Sequence, residues 1–178
     1  KKYPVVGNLT AAIMAVIPFF AILLHYYNNL SFEEIENYKG HFAVIFAHAS
    51  FLFLLLLIRE MIKDLENLKG DLVNNYQTIP IRYGETVSKK IITALIIITI
   101  IPVYVLIDVY DVGYMDIYFY SCFIILILFS LYLWSASSKP QYLLLHNVLK
   151  FLIVAGVFCI VLINPTVLWN GKKLLLLI

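Results

Sequence analysis

The 178-residue chain is poor in the residues that most enzymes build with: two cysteines, seven glycines, six prolines, and charge on only 13% of positions. Cys122 and Cys159 both fall inside apolar runs, which leaves no disulfide framework and no thiolate metal knot; they read as small buried apolar residues. There is no glycine-rich phosphate loop, no nucleophile triad and no basic patch interleaved with aromatics, so P-loop chemistry, triad hydrolysis and nucleic-acid binding have nothing to rest on. The shortage of charge excludes more still. A water-facing surface carries charge on roughly a quarter to a third of its positions, and this chain cannot supply it.

What the chain has instead is hydrocarbon. Hydrophobic residues make up 62% of it, and the mean hydropathy is +0.91, values of the membrane class. Five apolar runs, Leu9–Tyr27, His41–Ile58, Ile91–Ile107, Ile117–Trp134 and Tyr142–Ile163, approach the roughly 20 helical residues that cross about 30 Å of hydrocarbon. None alternates with the two-residue period of a barrel strand. Leu174–Ile178 is too short to span. The sequence therefore predicts an all-α polytopic membrane bundle with five transmembrane helices. Pro18 and Pro102 fall within spans, where neighbouring helices can satisfy the carbonyl that a proline frees.

Basic residues set the orientation. With the N-terminus inside, Lys1, Lys2, Arg59, Lys63, Lys69, Arg82, Lys89, Lys90 and Lys139 lie on the cytoplasmic side, against Lys39, Lys172 and Lys173 outside. The chain opens on Lys1 rather than Met, and the expectation is that an N-terminal portion precedes it.

Charge is concentrated as well as scarce. Of the 24 charged residues, 11 lie between Arg59 and Lys90, around "REMIKDLENLKGDLVNNYQTIPIRYG" at residues 59–84. At 100° per residue, Glu60, Asp64, Asn67 and Asp71 share a helical face about 60° wide over three turns. Lys63 borders that face and Glu66 points away from it. Acidic side chains at i and i+4 repel by a few tenths of a kcal/mol per pair, and a divalent cation would offset this. Carboxylate and amide oxygens without Cys or His favour a hard ion, Mg²⁺ over Zn²⁺. Mg²⁺ takes one or two protein carboxylates and completes its shell from water and phosphate. The cations Lys63, Arg82 and Arg59 suit the same polyanion. Because the stripe begins where a span meets the cytoplasm, the ligand it implies is a prenyl or lipid diphosphate, tail among the helices and head at the metal. The alternative is a solvated face tied by ion pairs, with Lys63 bonding Asn67 or Asp71 and Glu66 bonding Lys69.

"REMIKDLENLKGD" followed by "QTIPIRYG" resembles the second aspartate-rich motif of the UbiA family of intramembrane prenyltransferases. It is most similar to the geranylgeranylglycerol-phosphate geranylgeranyltransferase branch, as is "YPVVGN" at Tyr3–Asn8. The resemblance implies that residues 1–178 are the C-terminal part of one prenyltransferase domain, the last five helices of nine, and that they are inactive alone. The first aspartate-rich motif, N-D-x-x-D-x-x-x-D, is not in this sequence. The resemblance further implies a bundle around a central cavity, with both acidic motifs at its cytoplasmic mouth. There Mg²⁺ binds a prenyl diphosphate donor, and the prenyl chain passes to an acceptor of glycerol-phosphate or small cyclic type.

On that footing Glu60, Asp64, Asn67 and Asp71 are the metal residues, with Asn67 standing where the family pattern has Asp. Asp64, Asp71 and Lys63 are the catalytic candidates, and Lys63, Arg82 and Arg59 are diphosphate contacts. Tyr142, His146 and Lys150 recur every four residues on the last span; Lys150 either contacts an acidic acceptor or snorkels to the headgroups. His25, His41 and His48 read as helix-to-helix hydrogen-bonding groups. Phe51, Phe53, Tyr118, Phe119, Tyr120 and Phe123 line a prenyl tunnel or simply pack. Asp108, Asp111 and Asp116 read as a solvated outer loop. The reading from another class is a transporter or structural membrane subunit with a cytoplasmic acidic patch, but a transporter places ionisable groups near the bilayer midplane. The CDP-alcohol phosphotransferases also use Asp-rich helices, but their D-G-x-x-A-R signature is absent.

Overall fold

The computed structural model describes residues 4–30, 32–109 and 113–159. The N-terminal lysines, Asp111, the end of the last apolar run at Ile163 and the tail with Lys172, Lys173 and Leu174–Ile178 lie outside the described residues. Among the described residues every regular element is helical. α1 is Val6–Asn29, α2 Phe32–Glu66, α3 Leu68–Val73, α4 Ile79–Tyr83, α5 Glu85–Ile98, α6 Ile100–Tyr104, α7 Asp116–Ser135 and α8 Lys139–Cys159. A π-helical turn, Val105–Val109, extends α6, and a 3₁₀ turn, Gly113–Met115, leads into α7. Five segments are long and apolar enough to cross a bilayer: Val6–Asn29, Phe42–Glu66, Glu85–Val109, Gly113–Ser135 and Lys139–Cys159. The predicted all-α, five-span polytopic membrane bundle is the observed one.

The helices overrun the predicted spans, α2 at both of its ends. α2 runs on to Glu66 and α5 starts at Glu85, because backbone hydrogen bonding continues past the last apolar residue wherever side chains find polar partners. At 1.5 Å per residue α2 is about 52 Å long, well beyond a hydrocarbon core of about 30 Å. It must project from the membrane. The two span prolines behave differently. α1 passes through Pro18 as one helix, whereas the third span breaks just before Pro102. Pro102 has no N–H for the carbonyl of Ile98. At Thr99 the chain tightens instead, its N–H reaching both Leu95 O (3.0 Å) and Ile96 O (3.2 Å), and its hydroxyl donating to Ile96 O at 2.5 Å.

α2 is the hub, packed most extensively against α1 on one side and α8 on the other. Phe51, Leu55, Ile58, Ile62 and Leu65 recur at helical spacing and belong to one buried cluster with Ile92 of α5, Phe119, Phe129 and Leu133 of α7, and Leu145 and Leu149 of α8. Lipid is as apolar as these side chains, so shape fit rather than hydrophobic transfer holds the helices together. An aromatic knot supplies much of that fit: Phe51 to Phe119 is 5.5 Å edge-on, and Tyr118 to Phe119 is 5.3 Å. Thus Phe51, Tyr118 and Phe119 are core, while Tyr120 and Phe123 are exposed. Both cysteines are free thiols; Cys122 is buried as expected, whereas Cys159 is half-buried.

Candidate active site at the polar end of the bundle

The up-and-down course of the spans brings the start of α1, the end of α2, the start of α5, the end of α7 and the start of α8 to one end. Hydrogen bonds between these segments fix the arrangement. Asn8 Nδ2 of α1 donates to Asp64 Oδ2 at 2.8 Å, Lys89 Nζ of α5 donates to Ala136 O after α7 at 2.6 Å, and Tyr142 of α8 donates to Glu85.

The carboxylate stripe lies here. At Asn67 the backbone departs from the helix (φ −97°, ψ 14°), dividing α2 from α3. The hydrogen bonds nevertheless carry across it: Asn67 N to Lys63 O is 3.0 Å and Asp71 N to Asn67 O is 2.9 Å, so the helical succession from Glu60 to Asp71 is kept. The members differ in their surroundings. Glu60, 8% exposed, is neutralised by Arg59 Nη1 at 3.0 Å and by the ammonium of Lys63. Asp64 is only 2% exposed and accepts from the equally buried Asn8. Asn67 and Asp71 are half-buried. Arg82 is exposed, its guanidinium 5.6 Å from the centre of the Tyr83 ring. Lys150 is exposed on α8, away from the buried face formed by Tyr142, Leu145, His146 and Leu149. Among the described residues no three His, Cys, Asp or Glu side chains stand close enough to chelate a metal by themselves. The donor set still fits a hard ion that is finished by phosphate: Asp64, Asp71 and the Asn67 amide offer oxygens on one face, and Glu60 is already compensated by cations.

The stripe continues into the bundle as an apolar wall. Ala49 and Phe53 precede Glu60 and Asp64 on the same face of α2, and with Ile13, Val16, Ile17 and Phe20 of α1 they line a cleft of about 370 Å³.

The opposite face of α2 carries groups whose roles the sequence does not disclose. Glu66 bonds His146 Nδ1 at 2.8 Å rather than Lys69, and Lys63 bonds Glu60 rather than Asn67 or Asp71. Lys89 is buried and salt-bridged to Glu85 at 2.9 Å, and Ala136 O lies 3.0 Å from the Tyr142 hydroxyl, whose single proton it shares with Glu85. Glu66, Lys69, Glu85, Lys139 and Tyr142 surround a separate pocket of about 570 Å³. The Glu85–Lys89 spacing of four is the available signal, since Glu before Lys at i, i+4 pairs on a helix. Lys89→Met keeps the apolar stem but removes both bonds of the ammonium. It is expected to cost about 1–3 kcal/mol, read as a lower midpoint of thermal unfolding in detergent.

Three known proteins are similar to stretches of this chain. Over 117 residues, 65% of this chain and 38% of the relative, it is 30% identical to the digeranylgeranylglyceryl phosphate synthase of Methanobrevibacter smithii. The synthase of the same name from Sulfurisphaera tokodaii is 31% identical over 107 residues (57% and 34%). That from Methanopyrus kandleri is 43% identical over 54 residues (28% and 20%). Over these stretches the chain is similar to proteins named as prenyl-transferring synthases. It spans little more than a third of the length of the first curated relatives it matches. No family model and no solved structure matches it. It is a multi-pass membrane protein, with its acidic motif at one end of a span.

Proposed function

We propose that the chain contributes the second acidic motif of a Mg²⁺-dependent prenyltransferase, moving a geranylgeranyl-like group from a prenyl diphosphate to a glycerol-phosphate-type hydroxyl. The observation that carries this reading is the burial of Asp64 at the polar end of α2, beyond an apolar stretch of the same helix, with cations on the neighbouring turns. A solvated acidic face would leave that carboxylate in water. The names of the relatives support the acceptor: their product is a glyceryl phosphate with two geranylgeranyl groups.

In this reading Asp64 and Asp71, with Asn67, hold Mg²⁺, and the ion supplies charge neutralisation for the departing diphosphate. Lys63, Arg59 and Arg82 bind the diphosphate oxygens. Ala49 and Phe53, roughly 16 Å or more along α2 from Asp64, face the far end of the prenyl tail, and the apolar bundle around the donor keeps water from the allylic carbon as its bond to oxygen lengthens. The allylic carbon's bond to the diphosphate breaks, the acceptor oxygen bonds to that carbon, and the hydroxyl proton passes to the released diphosphate. The site faces the cytoplasm of the cell membrane, following the distribution of lysine and arginine. The placement of buried charge at one end, rather than along a path through the bilayer, favours this over a transporter.

The test is the full-length protein in liposomes, supplied with geranylgeranyl diphosphate and geranylgeranylglyceryl phosphate. Release of inorganic diphosphate and of the diether lipid is expected with Mg²⁺, and its loss with EDTA. Transfer that persists unchanged in EDTA would remove the metal from the mechanism.

A further inference from the structure

We propose that Asn8 is a positioning residue for the acidic motif: its side-chain amide fixes the carboxylate of Asp64 for the metal–diphosphate complex. This rests on the reading of Asp64 given above.

α1 offers very little to the rest of the protein except a narrow stripe toward α2, in which Asn8, Ala12 and Val16 recur every four residues at 2%, 0% and 2% exposure. Two of these are apolar, as expected of a membrane helix. The third is an amide, and a buried amide in an apolar span is costly unless it is bonded. Its Nδ2 is spent on Asp64 Oδ2, at 2.8 Å, between residues 56 apart in sequence.

The kind of donor matters. Glu60, one turn earlier, is held by Arg59 and Lys63, whose positive charges cancel its own. Asparagine gives a hydrogen bond that carries no charge. It therefore fixes one oxygen of Asp64 and the plane of the carboxylate without itself drawing on the negative charge that attracts a cation. Partners of this type orient ligating carboxylates, and their removal weakens metal binding 10–100-fold. A lysine in place of Asn8 would order the carboxylate as well, but would compete with Mg²⁺ for it.

A purely structural role would be to pin α1 to α2, and the two roles part experimentally. Mn²⁺ binding in the presence of inorganic diphosphate is measured by electron paramagnetic resonance on the full-length protein in detergent, alongside metal-free thermal unfolding. Asn8→Leu keeps the branched shape and removes the donor; Asn8→Ala removes it without risk of a clash. Both are expected to raise the Mn²⁺ concentration for half-saturation about tenfold. Ala12→Gly loosens the same α1–α2 contact without touching Asp64, and is expected to lower the unfolding midpoint while leaving Mn²⁺ binding unchanged. If the Asn8 variants bind Mn²⁺ like the parent, or if Ala12→Gly shifts binding as much as they do, Asn8 acts through packing and the proposal is overturned. Asp64→Asn separates the two levels. If it leaves Mn²⁺ binding intact, the metal reading itself fails. If it weakens binding while Asn8→Ala does not, only the role of Asn8 is lost.

Discussion

Asp64→Asn in the full-length protein is expected to lower Mg²⁺-dependent prenyl transfer by about 10²–10³-fold with little change in the unfolding midpoint, the loss of several kcal/mol that a metal on a leaving diphosphate supplies. The substitution keeps the shape of a side chain that is 2% exposed, and its amide oxygen can still accept from Asn8, so the fold loses little. What it removes is the negative charge. Each tenfold in rate corresponds to about 1.4 kcal/mol of transition-state stabilisation. Asp71→Ala should behave similarly, because Asp71 is the other aspartate on the stripe. Glu60→Gln is the informative contrast. Its carboxylate is compensated by Arg59 and Lys63, so a smaller loss in rate is expected, with a rise in the KM of the diphosphate donor as those cations are freed to move. Near-parental turnover of Asp64→Asn at saturating Mg²⁺ would end the assignment. Equal losses in all three variants would place Glu60 on the metal as well, against the neutralisation described here.

Much of this end of the molecule is legible in the sequence because helical period and polarity are local properties. Five apolar runs of bilayer-spanning length without strand alternation point to helices, and the spacing of Glu60, Asp64, Asn67 and Asp71 puts them on one face, which the hydrogen bonds through Asn67 preserve. The motif from Arg59 to Gly84 is long enough to point to the prenyltransferases by its residues alone, and similarity to the digeranylgeranylglyceryl phosphate synthases agrees. Pairings between helices are not legible. By spacing Glu66 belongs with Lys69, yet it meets His146 from a helix 80 residues later. Nothing in local spacing encodes that contact, because it depends on which face of α8 turns to α2. Asn8 is hidden for the same reason. One polar residue in an apolar run has no period, and its importance follows only from the carboxylate opposite. The third span departs from expectation on different grounds. Hydropathy sees Ile91–Ile107 as one run, whereas the missing N–H of Pro102 resets the backbone at Thr99.

The second large effect concerns the core rather than the site. Gly156→Ala is expected to destabilise the bundle by about 1–3 kcal/mol, the usual cost of forcing extra atoms into a filled interior. A Cβ built on Gly156 would lie 2.6 Å from Tyr118 Oη and 3.0 Å from Cζ, so either the phenol or α8 must give way. The phenol is poorly placed to do so. Its hydroxyl donates to Leu152 O at 2.9 Å, and its ring is wedged against Phe119 and Phe51. Glycine at 156 is thus what lets α8 come close enough to α7 for the tyrosine to bond a carbonyl on the neighbouring helix, the membrane use of small residues at a crossing. A sharper expectation concerns the pair. Tyr118→Phe alone should cost about 1 kcal/mol for the lost hydrogen bond, but in the Gly156→Ala background it removes the nearer of the two clashing atoms, and the double variant should be more stable than Gly156→Ala. A coupling of at least about 0.5 kcal/mol in that double-mutant cycle, followed by thermal unfolding in detergent, is the expected result. Simple additivity would mean that the new methyl group is accommodated by movement of α8 and that Tyr118 is not what sets the distance between the two helices.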